Sequence, residues 1–417
     1  MDTDDAGALL AAGCDRFGVP GAQLGLLRAG ERIVVCSGVL ASGGTDPVVP
    51  GTAFHAGSVA KSLAALVVVG AARRGDLALD EPCSEQAAGL WPETPRALMS
   101  HTTGRANLLP DLDEPIEHFV ARAGAVPRVH APGRFSYCNP GWSVLDLLLR
   151  ARCGASFELL AADVLGAGAT FAMPAGAAHG HRTAPGQPPQ AAESASITAA
   201  AAAGGTWWTT ADQLLDYAGL HLRPDGDRVH ETDVLELRRL AVAVPGATVA
   251  DGWGLGWALW DRGAHRAFGW AGLTAGHRAY LRCFPEQDAA VVLLTNAAGP
   301  LFGPPGGSAL FDALLPEALA LLGVPPLPSH VPPAGSRSRA AGRPTGEVAG
   351  RYGPVRLVAD GPDRLVLHAE AFGQLEPVPY RRTAGDTYAV AGEPPGALAL
   401  AVDADLLYLG PFALPRG

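Results

Sequence analysis

Lysine is almost missing from this chain: 31 of its 417 residues are Lys or Arg, and one alone, at position 61, is lysine. Closely spaced cysteine pairs are missing as well. Cys14, Cys36, Cys83, Cys138, Cys153 and Cys283 are scattered singly without any C-x-x-C, which suits reduced, mostly buried thiols better than a disulfide frame or a zinc site. No apolar run reaches the roughly 18 residues of a membrane span, and the start, Met1-Asp2-Thr3-Asp4-Asp5, is acidic where a signal peptide is basic. A cytoplasmic location and no membrane partner are therefore expected. Positive charge is also in deficit, the net charge being -10, which argues against nucleic acid as partner because a phosphate backbone calls for a basic face. No G-x-G-x-x-G opens a helix after a strand, so no nucleotide cofactor is expected. His179 and His181 sit two apart in a Pro- and Gly-rich loop without a third ligand nearby, so no metal is expected either.

What is present gives the lone lysine a purpose. Lys61 follows Ser58 by three residues in Gly57-Ser58-Val59-Ala60-Lys61-Ser62. Arginine keeps its proton at any working pH, whereas a desolvated ammonium shifts toward neutrality and can act as a base. From Val59 to Ala72 the chain is apolar on every side, and Arg73, Arg74 and Gly75 close the run; this predicts a helix buried all round with Ser58 at its N-terminus. Residues three apart share a helix face, so the Lys61 amine can reach the Ser58 hydroxyl, as in an activated nucleophile. The competing reading is a helix-capping serine with an incidental lysine.

The wider pattern predicts an α/β (α+β) fold. Gln23 to Val39 reads as a hairpin turning at Gly30, and the middle from about Asp76 to Leu222 is mostly helical, with a capping-box entry at Thr210-Ala211-Asp212-Gln213. Arg266–Gly269, His277–Cys283 and Ala289–Leu294 then read as successive antiparallel strands. Early and late strands can share one antiparallel sheet flanked by helices, with a helical lobe beside it and a cleft between them. Residues 1–323 form this domain, 324–345 a Pro-rich linker, and 346–417 a small antiparallel β domain with strands such as Val355–Val358, Arg364–His368 and Leu406–Leu409.

Two further constellations belong with Ser58. In Pro132-Gly133-Arg134-Phe135-Ser136-Tyr137-Cys138-Asn139-Pro140 a tyrosine and an asparagine stand in a turn-rich loop before an apolar helix. Tyr137 can carry a proton to a leaving group and Asn139 can orient a carbonyl, although such residues beside Pro and Gly are often only turn formers. Gly269-Trp270-Ala271-Gly272-Leu273-Thr274-Ala275-Gly276 is a Gly-rich strand whose backbone can lie flat against a ligand.

Together, Ala53-Phe54-His55-Ala56-Gly57-Ser58-Val59-Ala60-Lys61, Leu98-Met99-Ser100-His101-Thr102-Thr103-Gly104, Tyr137-Cys138-Asn139, Gly204-Gly205 with Thr209-Thr210-Ala211-Asp212, and Trp270-Ala271-Gly272 with Leu294-Thr295-Asn296 resemble the serine β-lactamase and penicillin-binding protein superfamily. The likeness is to its class C, D-aminopeptidase and family VIII esterase branch, over about residues 10–323. It implies that Ser58 attacks a carbonyl, that Lys61 and Tyr137 move protons, and that the backbone N–H groups of Ser58 and Leu273 form an oxyanion hole, giving an acyl-enzyme. Asn139, Trp270, Gly272 and Leu273 would then meet the substrate. It also implies a lipocalin-like C-terminal domain.

The sequence departs from that family at its third motif, where a Lys or His usually meets a substrate carboxylate and Trp270 stands instead. This resembles esterase-type members. One reading has His277 or Arg278 on the next strand replace the cation; the plainer one takes a strand charge as a surface residue. Trp270 either walls an acyl pocket or packs in the core, and Trp207-Trp208 reads as core packing. The expected activity is acyl hydrolysis or transfer on an ester or amide, esterase-like rather than β-lactam-degrading. Small-molecule or peptidyl acyl substrates and a carrier-protein or peptide acceptor are the expected partners. The alternatives are a biosynthetic transacylase or peptide cyclase of natural-product assembly, and a non-catalytic binding module.

Overall fold

A computed structural model describes residues 2–111, 113–166, 170–184, 187–192, 202–262, 265–299, 307–326, 342–370, 374–390 and 399–417. Helix α1 (Thr3–Phe17) starts at Asp2, whose side chain accepts the Asp4 N–H, and ends at Gly18 in the left-handed conformation. Strands β1 (Gly21–Arg28) and β2 (Glu31–Gly38) follow as a hairpin, in register from Gly21↔Gly38 to Arg28↔Glu31. Its turn, Ala29-Gly30, has positive φ at both residues, the mirror-image turn that matches strand twist.

Helix α2 (Ala60–Arg74) buries every residue from Ala60 to Ala71 and stops at Gly75, at φ 82°. The all-round apolar pattern is thus what seats it in the middle of the domain. Helices α3 (Pro140–Cys153) and α4 (Ala211–Leu222) pack in the same lobe, α4 opening on the full capping box of Thr210 and Gln213.

The remaining strands of the main sheet are β3 (Val242–Ala243), β4 (Gly252–Trp253), β5 (Ala258–Arg262), β6 (His265–Leu273), β7 (Arg278–Phe284) and β8 (Ala289–Thr295). Their order is β2-β1-β8-β7-β6-β5-β4-β3. The hairpin from the start of the chain therefore pairs with the last strand, from Ala22↔Thr295 to Arg28↔Ala289. Alternation sends Ala279, Leu281, Val292 and Leu294 to the core shared with α2, and Tyr280, Val291 and Leu293 to the opposite core. That second core is closed by α1 and by α5 (Gly307–Leu321).

Residues 327–341 of the expected linker lie outside the described residues. Beyond them, β9 (Gly350–Tyr352), β10 (Val355–Ala359), β11 (Arg364–Ala369), β12 (Gln374–Ala384), β13 (Thr387–Val390), β14 (Leu400–Asp403), β15 (Leu406–Leu409) and β16 (Phe412–Pro415) pair strictly in chain order. A Tyr352↔Arg416 bridge, with Gly353 N–H donating to Pro415 O at 2.9 Å, joins the last strand to the first. The result is an antiparallel up-and-down barrel of eight strands, filled by Tyr352, Leu357, Leu367, Tyr388 and Leu409 among others. Closure removes the exposed strand edges that an open sheet would leave.

Candidate active site

Ser58 sits in a single 3-10 turn, Gly57–Val59, that leads into α2, not as the helix cap itself, which is Val59. Two glycines permit this placement. Gly57 has φ 52°, and a Cβ on Gly272 would fall 1.8 Å from Ala56 O and 3.1 Å from Ser58 N. Only a bare backbone allows β6 to lie this close. The contact is possible because β5 pairs with His265–Gly269 alone, leaving residues 270–273 an open edge that borders the Ser58 turn. A Cβ on Gly57 would likewise lie 2.9 Å from Leu273 N. The two backbone N–H groups of the expected oxyanion hole, from Ser58 and Leu273, are thus brought side by side. His55 Nδ1 accepts the Gly57 N–H at 3.0 Å and so holds the turn.

One helical turn on, Lys61 Nζ lies 3.1 Å from Ser58 Oγ and donates to Gly204 O at 2.5 Å. Lys61 is 1% exposed, among the rings of Tyr137 and Trp142 at 5.3 and 6.0 Å. Burial pushes its amine down to about 7, because desolvation penalises the charged form. A helix full of alanine and valine thus holds one titratable group, poised to be neutral at ordinary pH.

Tyr137 reaches the same hydroxyl from the loop before α3. Its OH is hydrogen-bonded to Ser58, and burial raises its pKa above the ordinary tyrosine value, opposed by the Ser58 and Trp270 hydrogen bonds. Trp270 Nε1 donates to Tyr137 OH at 3.2 Å. Trp270 also meets Trp253 edge-on at 4.5 Å and is only partly buried. It is therefore neither plain core nor plain wall: it fixes the tyrosine oxygen.

The backbone around Tyr137 is held at three successive N–H groups. Ser136 N–H donates to His101 O at 2.8 Å, Cys138 N–H to His101 Nδ1 at 3.1 Å, and Tyr137 N–H to Pro411 O of the barrel at 3.1 Å. His101 is buried, at φ 58°, with its ring 4.2 Å from that of Tyr137. A non-glycine residue in that region is strained and persists only where its contacts enforce it. Burial and the nearby Lys61 push its imidazole well below the ordinary range, so its neutral form, accepting at Nδ1, is the one that clamps the loop. Asn139, half-buried, lies one residue beyond Cys138, with its own N–H on Asn107 Oδ1 at 2.8 Å.

The remaining residues singled out by sequence are placed elsewhere. His277 is 4% exposed rather than on the surface, its Nε2 3.1 Å from Ala178 O, and burial lowers it to about 4; it is neutral and supplies no cation. Arg278 is also buried and pairs across from Leu273, so it shares that residue's face of the sheet and not the face carrying Trp270 and Gly272. His181 stands in a short strand, donating Nδ1–H to Asn296 O at 2.9 Å and accepting the Ser42 N–H at Nε2. Trp207 and Trp208 are 1% and 6% exposed, against Tyr217 and His55. Among the described residues no group of three or more His, Cys, Asp and Glu could hold a metal ion, and no helix is long and apolar enough to cross a membrane.

Sequence reasoning missed three supports of this site: the Gly204 carbonyl on Lys61, His101 on both sides of Tyr137, and Pro411 on Tyr137 itself. The first two lie inside motifs that stood out in the sequence; nothing marks Pro411, which is 274 residues away along the chain.

A two-lobed sheet-and-helix domain with a serine, a buried lysine and a tyrosine on one hydroxyl defines the class of serine acyl hydrolases built on the β-lactamase and transpeptidase fold. The β-lactamase family profile matches residues 8–313, and the chain belongs to that family. It is 30% identical over 308 residues to penicillin-binding protein 4 of Amycolatopsis lactamdurans, an alignment covering 67% of this chain and 81% of that protein. The crystal structure of SurE superposes with a TM-score of 0.76 at 26% identity, covering 100% of this chain and 99% of SurE. An octameric penicillin-binding protein homologue from Pyrococcus abyssi superposes with a TM-score of 0.68 at 19% identity, over the full length of both chains. The last likeness is one of fold, and it includes the C-terminal domain.

Proposed function

We propose that the protein is a serine acyl hydrolase or acyltransferase that forms an acyl-enzyme on Ser58 from an ester or amide, and that it is esterase-like rather than β-lactam-degrading. The observation that carries this reading is the buried Lys61 amine 3.1 Å from Ser58 Oγ with its pKa lowered to about 7. In the neutral form it accepts the Ser58 proton as Oγ attacks the substrate carbonyl. The negative charge that develops on the carbonyl oxygen is met by the N–H groups of Ser58 and Leu273. Tyr137, kept protonated by its raised pKa, gives its proton to the leaving group as the C–O or C–N bond breaks, and the Lys61 ammonium restores it. Trp270 N–H supports the tyrosine oxygen during that exchange. Water or an amine, activated by the regenerated lysine, then takes the acyl group from Ser58.

The esterase-like part rests on Trp270. A neutral indole stands where a cation would meet a carboxylate, and neither His277 nor Arg278 is placed to substitute for one, which disfavours carboxylate-bearing β-lactams. Asn139 is assigned to the substrate carbonyl side of the cleft.

A second reading is transfer to an amine, as in a biosynthetic transacylase or peptide cyclase, with a peptidyl acyl group and a carrier-protein or peptide partner. The full-length likeness to SurE, which has also been solved with D-Leu, favours an acyl group or acceptor that carries a D-residue. The two readings share the acyl-enzyme and differ in the acceptor.

Intact-mass analysis tests both. A fluorophosphonate, p-nitrophenyl butyrate, a peptidyl thioester bearing a D-residue, and penicillin are each incubated with the wild type and with Ser58→Ala. Ser58-dependent adducts with the first three and none with penicillin are expected. Ring or amide product from the thioester in excess of free acid selects transfer. Absence of any Ser58-dependent adduct makes the fold a binding module.

A further inference from the structure

The barrel is not merely tethered to the catalytic domain. Its β15–β16 turn, Gly410-Pro411-Phe412, stands against the residue assigned the proton to the leaving group. Pro411 O accepts the Tyr137 N–H at 3.1 Å, and the Phe412 ring meets the Tyr137 ring edge-on at 6.1 Å and 89°. The turn is itself fastened on both flanks. Thr248 Oγ1 donates to Gly410 O at 2.7 Å, while Arg134, three residues before Tyr137, pairs with Asp403 at 2.6 Å and lies over the Tyr408 ring at 6.0 Å.

The Tyr137 N–H points out of its own domain, whereas the N–H groups of Ser136 and Cys138 on either side both end on His101. In a helix or a sheet that donor would be met within the same helix or by a neighbouring strand. Here the loop is complete only when the barrel supplies the acceptor. The Tyr137 ring also meets His101 at 4.2 Å, Trp270 at 5.7 Å and Trp253 edge-on at 6.0 Å, so Phe412 is the fourth ring of the cage around it.

We propose that the Gly410–Phe412 turn of the C-terminal barrel positions Tyr137, so that the barrel is a required part of the proton-delivery half of the site. The role of the turn rests on the acyl-enzyme reading above; its structural half, the holding of the Tyr137 backbone, does not. Phe412 and Pro411 are positioning residues, since they touch Tyr137 and not the reacting atoms.

A general acid matters in proportion to how poor the leaving group is, because p-nitrophenolate leaves without a proton and ethoxide does not. Phe412→Ala, which frees the ring, is therefore expected to lower kcat on ethyl butyrate by about 10-fold, with KM and p-nitrophenyl butyrate turnover within about 2-fold of wild type. Phe412→Leu, which refills the volume, restores most of the loss. Equal losses on the two esters, or none on ethyl butyrate, overturn the proposal.

A second measurement does not depend on activity. In the full-length protein carrying Thr248→Val and Arg134→Ala, amide exchange in the peptide spanning Phe135–Cys138 is expected to speed up at Tyr137 by more than about 10-fold while the peptides of α2 stay protected. Unchanged protection overturns the proposal even if wild-type protein hydrolyses both esters. Wild-type protein that turns over neither ester removes the acyl-enzyme reading, and the exchange result then decides the positioning claim by itself.

Discussion

Ser58 and Lys61 lie three residues apart, at the start of a helix whose burial strips the amine of water, and the Gly204 carbonyl supports the amine from outside that helix. Tyr137 comes to the same hydroxyl from an irregular loop whose three consecutive N–H groups are held by His101 and by the barrel, and whose oxygen is held by Trp270. The nucleophile and its base are thus a local device. The acid is a nonlocal one, assembled from four stretches of chain between residues 101 and 412. Local devices depend on helix integrity and burial; nonlocal ones fail whenever any of their distant supports loosens.

Substitutions can break each half separately. The largest effect is expected for Ser58→Ala, which removes the atom that is acylated and should reduce ester turnover by at least ~10³-fold, leaving no mass adduct with a fluorophosphonate. Lys61→Arg comes next. It keeps a positive charge but cannot give up its proton, so acylation should fall by ~10²-fold or more; near-normal turnover would end the argument for lysine as base. Trp270→Phe leaves the ring and deletes the donor to Tyr137, so a loss of about 10-fold on alkyl esters is expected, in line with one hydrogen bond to the tyrosine oxygen. Trp270→His tests the third motif from the other direction: a gain in affinity for carboxylate-bearing β-lactams is expected, and no gain would mean that the missing cation is not what sets specificity.

The smallest effect is on stability. The Lys61 pKa is lowered in the folded state, to about 7, while the unfolded chain keeps the ordinary lysine value. Below the folded value the cost of burying the charge is present in full; between it and the ordinary value the unfolded state binds the extra proton, so that cost shrinks as pH rises. Lys61→Met should therefore melt a few degrees above wild type near ~pH 6, the gap narrowing toward ~pH 9, as read by calorimetry. A gap that widens with pH would reverse the sign of the lysine shift.

The same contrast explains what could be read from sequence. The buried helix, the serine and lysine three apart, the hairpin at Gly30 and the capping box at Thr210 are each written in adjacent residues, and each is present in the structure. Tyr137 was visible as a residue in a suggestive loop, but not its cage, since a backbone carbonyl such as that of Pro411 or Gly204 leaves no residue-type signal. Trp270 stood out by position in its motif, yet its role as a donor to Tyr137 depends on a hydrogen bond between elements 133 residues apart. His277 and Arg278 read as surface charges from their strand context; Arg278 is buried on β7, an inner strand covered on both faces, and His277, just before it, is buried against Phe54, His55, Trp208 and the Ala178 carbonyl. In the barrel, Gly350–Tyr352 is short and Gln374–Ala384 mixes charges and prolines with its apolar residues, so neither reads plainly as a strand.

The rate of Ser58 acylation against pH tests the central claim most directly. Stopped-flow acylation by p-nitrophenyl butyrate is predicted to rise with pH through a single midpoint at about 7, and the rise should vanish in Lys61→Arg. A midpoint at lysine's ordinary value, or the same midpoint retained in Lys61→Arg, would contradict the account.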